Sequence, residues 1–160
     1  MYGPPMWKAF QRYRKLDPEA RRLFWRAVVL LPWVAYSLRV RGFQRTRENL
    51  ARRVPNGPSN TARDARSAEV AQITSRMVRA GARHGPAHPS CLEQSLVLWF
   101  LMAREGVPAR LRIGVKKSAG KFEAHAWVEY DGVPLNQSEE VHHHYAAFEG
   151  EFSDVSGESR

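Results

Sequence analysis

Cys91 is the one cysteine in a chain of 160 residues, and a histidine in the pattern His125-Ala126-Trp127 follows 34 residues later. The thiol stands in the run His88-Pro89-Ser90-Cys91-Leu92-Glu93-Gln94-Ser95-Leu96-Val97-Leu98-Trp99-Phe100-Leu101. Ser90 and Glu93 make the S-x-x-E pattern of a capping box, which puts Cys91 in the first position of a helix. Unpaired backbone N–H groups and the positive end of the helix dipole favour a thiolate there. An imidazole that reaches such a thiol can take its proton and later protonate a leaving amine, which is the chemistry of nucleophilic acyl transfer. A lone cysteine is also often just a small buried apolar residue, and position alone leaves both possibilities open.

The imidazole needs a partner to fix its tautomer. Residues 122–130 read as a strand with His125, Trp127 and Glu129 on one face and Ala126, Val128 and Tyr130 on the other. Asp131-Gly132 is a strong hairpin signal. A two-residue turn pairs Tyr130 with Val133 and Trp127 with Asn136, leaving Asn136 one diagonal step from His125 on its face. A three-residue turn with a bulge puts Gln137 opposite His125 instead. Both registers are allowed, and asparagine is the better orienting group. The backbone N–H of Cys91 is the first candidate for an oxyanion donor.

The elements that must position these residues follow from pattern. Asp17-Pro18-Glu19 opens a helix expected to run to about Val40, kinked near Pro32 and stopped at Gly42. A short basic segment, Thr46 to Arg53, reads as a second helix, and 55–60 as a loop. A third helix is expected from about Ala62 to Arg83, with Ala68, Ala71, Ile73, Met77 and Val78 near one face. The Cys91 helix should end at Arg104-Glu105-Gly106, with Gly106 as a left-handed cap. A strand at 110–115, a turn at 116–121, the His125 strand and a third strand at 133–136 follow, then a loose tail. The fold class is α+β: a helical N-terminal half, then a catalytic helix packed on a small antiparallel sheet. Three regions are expected: 1–60 basic and helical, 61–138 the core, 139–160 an acidic, partly ordered tail.

Charge is uneven. Residues 1–60 carry 13 Lys/Arg against three acids, whereas 136–160 carry one Arg against six acids. The basic half thus lies outside the Cys91–His125 segment and could meet nucleic acid, anionic lipid or an acidic protein. No phosphate loop, zinc-finger spacing or aromatic RNA motif accompanies it, so no specific nucleic acid is implied. A single cysteine excludes an internal disulfide and fits a reducing cytoplasm. No signal peptide is evident. The 12-residue apolar run Ala27 to Leu38 is short for a bilayer span. Flanked by Arg21, Arg22, Arg26, Arg39 and Arg41, it reads as a buried core helix or as one lying peripherally at the inner membrane face. His142-His143-His144 lacks the spacing of a ligand set, and no metal or cofactor is implied. His88 and His84 flank the loop before Cys91; either solvation or substrate lining suits them. Trp99 and Phe100 read as core, and Trp127 as packing or as a shield over the imidazole.

The residues together resemble a known family. Cys91-Leu92-x-x-Ser95-Leu96-x-Leu98, then Gly106-Val107-x-Ala109-x-Leu111-x-Ile113-Gly114-Val115, then His125-Ala126-Trp127-Val128-Glu129-x-Asp131-Gly132 resemble the lasso-peptide leader peptidases. These are bacterial members of the transglutaminase-like cysteine-protease superfamily. The resemblance covers about Ala62 to Gln137, together with the basic N-terminal helix. It implies removal of the leader from a ribosomally made precursor, before a separate asparagine-synthetase-like cyclase closes a macrolactam. It assigns the nucleophile to Cys91 and the base to His125. The family's third member is an Asp near Gln137, where this chain has no carboxylate, so Asn136, Gln137 or neither fills that role. A fused leader-recognition domain would need a strand-rich N-terminus; a separate recognition protein is therefore implied. Two other classes stay open: a non-catalytic scaffold of the same fold that docks precursor or cyclase, and a basic protein that binds RNA or membrane through 1–60.

Overall fold

A computed structural model describes residues 17–55, 65–118, 121–136 and 146–147. Among the described residues, three helices, α1 (Pro18–Ala51), α2 (Ala65–His84) and α3 (Cys91–Arg104), precede β1 (Arg110–Ser118), β2 (Lys121–Tyr130), β3 (Val133–Pro134) and β4 (Ala146–Ala147). The strands form one sheet in the order β3-β2-β1-β4, with every pairing antiparallel. The α+β class expected from the pattern is the one observed.

Asp17 precedes α1 with Pro18 and Glu19 in its first turn. Proline suits that turn because its missing N–H would have no partner there. A second helical segment then follows the expected stop at Gly42, in keeping with the reading of Thr46 to Arg53 as a helix. Pro32 lies inside the helix, and the break in dihedral angles falls at Gly42 (φ 76°, ψ 176°). The expected stop at Gly42 is thus a joint between two helical segments. Two buried hydroxyls bridge it: Thr46 Oγ1 donates to the Gly42 carbonyl at 2.8 Å and lies 2.9 Å from Ser37 Oγ.

Packing explains where the apolar residues go. Ala27, Leu31, Val34 and Leu50 of α1 share one core with Ala71 and Val78 of α2 and with Leu96, Val97, Leu98, Phe100, Leu101 and Met102 of α3. Of the face expected on α2, only Ala71 and Val78 are fully buried; Ala68, Ile73 and Met77 are half-buried. Small groups fill the seam instead, and a Cβ on Gly81 would lie 3.2 Å from Ala27 Cβ. Close approach of α1 and α2 displaces the larger side chains from that seam. Helix α3 ends in a Schellman motif: Val107 N donates to Met102 O at 3.0 Å and Gly106 N to Ala103 O at 3.1 Å, with Gly106 at φ 74°. That geometry satisfies carbonyls the last turn leaves unpaired.

Val128 of β2 belongs to the same core, with Leu111, Tyr130 and Leu135 packed against it. Asp131 (φ 51°) and Gly132 (φ 79°) make a two-residue turn with Tyr130 opposite Val133. Both central residues have positive φ, as a type I′ hairpin requires. The three-residue alternative is therefore excluded. The β1–β2 ladder runs to Ser118 opposite Lys121, so the turn is shorter than the expected 116–121. Backbone pairing continues through Lys116 and Lys117, which the sequence pattern places in the turn. Strand β3 stops at Pro134 rather than Asn136, because the Leu135 carbonyl turns toward α2. Ala146 and Ala147 add an edge pairing with Val115 and Gly114. Two alanines carry no strand signal of their own.

Candidate active site

The first turn of α3 is built as its sequence demands. Ser90 N donates to Glu93 Oε2 at 2.6 Å, and Glu93 N donates to Ser90 Oγ at 3.4 Å. Gln94 adds a clamp from Nε2 to the Pro89 carbonyl at 3.0 Å. Cys91 consequently occupies the first helical position, half-buried, with a free thiol. This is the observed counterpart of the expected capping box.

His125 lies opposite Gly114 on β1, a neighbour with no side chain to crowd the imidazole. It stacks on Trp127, with ring centroids 6.2 Å apart and planes 20° from parallel. Trp127 is fully buried, and its Nε1 donates to Glu129 Oε1 at 2.9 Å. Glu129 in turn accepts from Arg112 Nε at 3.0 Å. Three residues of one strand face thus form a braced row behind the imidazole. Trp127 both packs the core and supports His125.

Asn136 falls at the position the two-residue turn dictates, and its amide is doubly engaged. Oδ1 accepts from Val128 N at 2.9 Å, and Nδ2 donates to Ser95 Oγ at 2.8 Å. The Ser95 hydroxyl donates onward to the Ala126 carbonyl at 2.9 Å. Leu135 N still donates to Val128 O at 2.9 Å, but the Leu135 carbonyl turns away to accept from Ser75 Oγ at 2.6 Å and Arg79 Nη2 at 3.2 Å. Asn136 Oδ1 substitutes for that carbonyl. This is why the ladder ends early while the register persists. Gln137, the alternative orienting residue, and His142–His144 lie outside the described residues.

Ser95 is the residue that sequence reasoning missed. It lies one helical turn beyond Cys91, and Ala126 is next to His125, so their bond ties the two elements close to both candidate groups. A signal was present: one hydroxyl stands at the head of the apolar stretch Leu96 to Leu101, and a buried hydroxyl needs partners. Asn136→Ala would leave Val128 N and Ser95 with lost partners. We expect a destabilisation of about 1–3 kcal/mol, the cost of unsatisfied buried polar groups. A lowered urea midpoint would register it; an unchanged midpoint would mean these bonds do not form in solution.

A cleft of about 290 Å³ opens beside the start of α3. His88, Pro89 and Glu93 form one wall, while Pro32, Tyr36 and Arg39 of α1 form the other. His88 is exposed and does line a cavity next to the thiol's helix. The α1 wall was not foreseen, because nothing local to residues 32–39 refers to residue 91. Among the described residues no cluster of His, Cys, Asp or Glu could hold a metal ion.

A family model described as the transglutaminase-like superfamily matches residues 27–149, more than half of the chain. The chain belongs to the transglutaminase-like superfamily. Comparison with curated proteins and with solved structures gave no match.

Proposed function

We propose that this protein is a cysteine peptidase that removes the leader from a ribosomally made lasso-peptide precursor. The observation that carries the proposal is the thiol at the capped start of α3, tied through Ser95 to the residue after His125. Membership of the transglutaminase-like superfamily supports a Cys–His acyl-transfer site. The order of motifs from Cys91 to Gly132 supports the narrower leader-peptidase assignment.

In this mechanism His125 takes the thiol proton of Cys91, and the thiolate adds to the carbonyl of the scissile bond. The backbone N–H of Cys91 donates to the resulting oxyanion, since the first N–H groups of a helix have no internal acceptor. Collapse breaks the C–N bond, and the imidazolium gives its proton to the departing amine of the core peptide. A thioester joins Cys91 to the leader. Water then adds with His125 as base, which frees the leader as a carboxylic acid and restores the thiol. No cofactor enters. Trp127 and Glu129 hold the imidazole plane, and Asn136 acts as a positioning residue by fixing the 126–128 segment against α3. The cleft between Tyr36, Arg39 and His88 lies beside the start of the Cys91 helix and is the surface on which the peptide is proposed to bind.

The partners proposed are the precursor, a separate leader-recognition protein and a macrolactam cyclase. This chain with precursor alone should cleave slowly. Adding the recognition protein should accelerate cleavage tenfold or more, on the order of the gain from raised effective concentration. Mass spectrometry of timed samples would follow leader release. Equal rates with and without that protein would mean that this chain reads the leader itself. Absence of cleavage under both conditions, with precursor still bound, would favour the non-catalytic scaffold.

A further inference from the structure

Helix α1 is apolar on two opposite faces, and among the described residues only one of them is buried in the core. Ala20, Leu23, Ala27, Leu31 and Val34 are buried against the rest of the chain. Trp25, Val29, Tyr36 and Val40 are 57%, 66%, 66% and 61% exposed. At 3.6 residues per turn these four fall within an arc of about 60°, on the side away from the buried residues. They make a stripe about 22 Å long, from the rise between residues 25 and 40. Only 28% of the helix's most apolar 18-residue window is buried, although its length and composition would suffice to cross a membrane. A contiguous apolar surface left outside a fold marks an interaction site.

Charge identifies the occupant. Several arginines of α1 and its flank serve the fold: Arg22 and Arg26 pair with Glu105, Arg47 lies over Trp99 and Arg53 over Trp33. Arg21, Arg39 and Arg41 have no carboxylate partner among the described residues. Arg21 and Arg39 border one edge of the stripe by helical spacing, Arg22 and Arg26 the other, and no acid lies within it. Residues 1–16 continue the same chemistry in composition, with Tyr2, Trp7, Phe10 and Tyr13 among Lys8, Arg12, Arg14 and Lys15 and no acid. Aromatic and branched side chains edged by cations suit the boundary between acyl chains and anionic headgroups.

We propose that the outer face of α1 seats this protein on an anionic membrane surface, lying in the interface and not spanning it. The inner face cannot enter lipid while it packs on α2 and α3. The stems of Arg21 and Arg39 would reach along the stripe with their guanidinium groups at phosphate level.

The test is sedimentation of the purified full chain with vesicles of phosphatidylcholine alone or with about one third phosphatidylglycerol, a strongly anionic surface. The protein should pellet with the anionic vesicles only. Val29→Glu and Val40→Glu should each lower that partition about tenfold or more, because a carboxylate replaces an inserted apolar group. Both sites are more than half exposed, so the variants should keep the wild-type melting temperature; Tyr36 is left intact because it lines the cleft. Failure to bind anionic vesicles would overturn the proposal. Binding that both variants retain in full would also overturn it, since charge alone would then account for attachment. Concentration-dependent dimers that Val29→Glu abolishes, without vesicle binding, would assign the stripe to a second copy of the chain.

Discussion

Cys91→Ala should abolish leader cleavage, lowering the rate by a factor on the order of 10⁴ or more, while the protein remains folded. The size follows from chemistry: without sulfur no thioester forms, and loss of the nucleophile is among the costliest single changes in an enzyme of this kind. The intact fold follows from local structure. Ser90 and Glu93 close the capping box through their own atoms, and the half-buried thiol contributes none of those bonds. The expected change in stability is within about 0.5 kcal/mol, as for a substitution outside the core. Cleavage assays and thermal melts on the same preparation separate the two effects. A folded Cys91→Ala protein that still cleaves would remove the peptidase assignment altogether.

His125→Ala should lower turnover by a factor on the order of 10² to 10⁴, the usual worth of a positioned proton-transfer group. The loss should fall on kcat more than on KM, because the imidazole acts on the reacting atoms. Stability should change little, since His125 is half-buried at a point where Gly114 lies opposite on β1 and Trp127 keeps its own bond to Glu129. A variant in which only KM rose would make His125 a substrate contact.

Short-range pattern made much of the site legible. The capping box, the left-handed Gly106 and the Asp131-Gly132 turn each depend on a few adjacent residues, and each is present as the pattern predicts. The register of β2 and β3 followed once the turn was known, and Asn136 follows β3 with its amide bonded to the Val128 N–H. What Asn136 does there was not legible. Its partners, Ser95 and Val128, come from elements 41 and eight residues away in sequence. The diversion of the Leu135 carbonyl to Ser75 and Arg79 depends on how α2 docks, which no local signal encodes.

Helix α1 teaches the converse lesson. Its apolar run suggested either a core helix or an interfacial one, as though the two were exclusive. In the fold the same residues divide between faces: Leu31 and Val34 turn inward, Val29 and Tyr36 outward. Gly42 looked like a helix end because a positive φ breaks helical geometry, yet the chain resumes its helix directly. The Thr46 and Ser37 hydroxyls that bridge the joint are buried polar groups, which hydropathy counts against a core.

The central claim is that Cys91, activated by His125, forms a bond to the leader. The most direct measurement is the intact mass and peptide map of the protein after incubation with a leader-derived peptide ending in a thiol-reactive vinyl sulfone. One equivalent should add to wild-type protein at Cys91, more slowly to His125→Ala and not at all to Cys91→Ala. A precursor cleaved normally by protein that takes up no label, or a label shared with other residues and indifferent to His125, would contradict it.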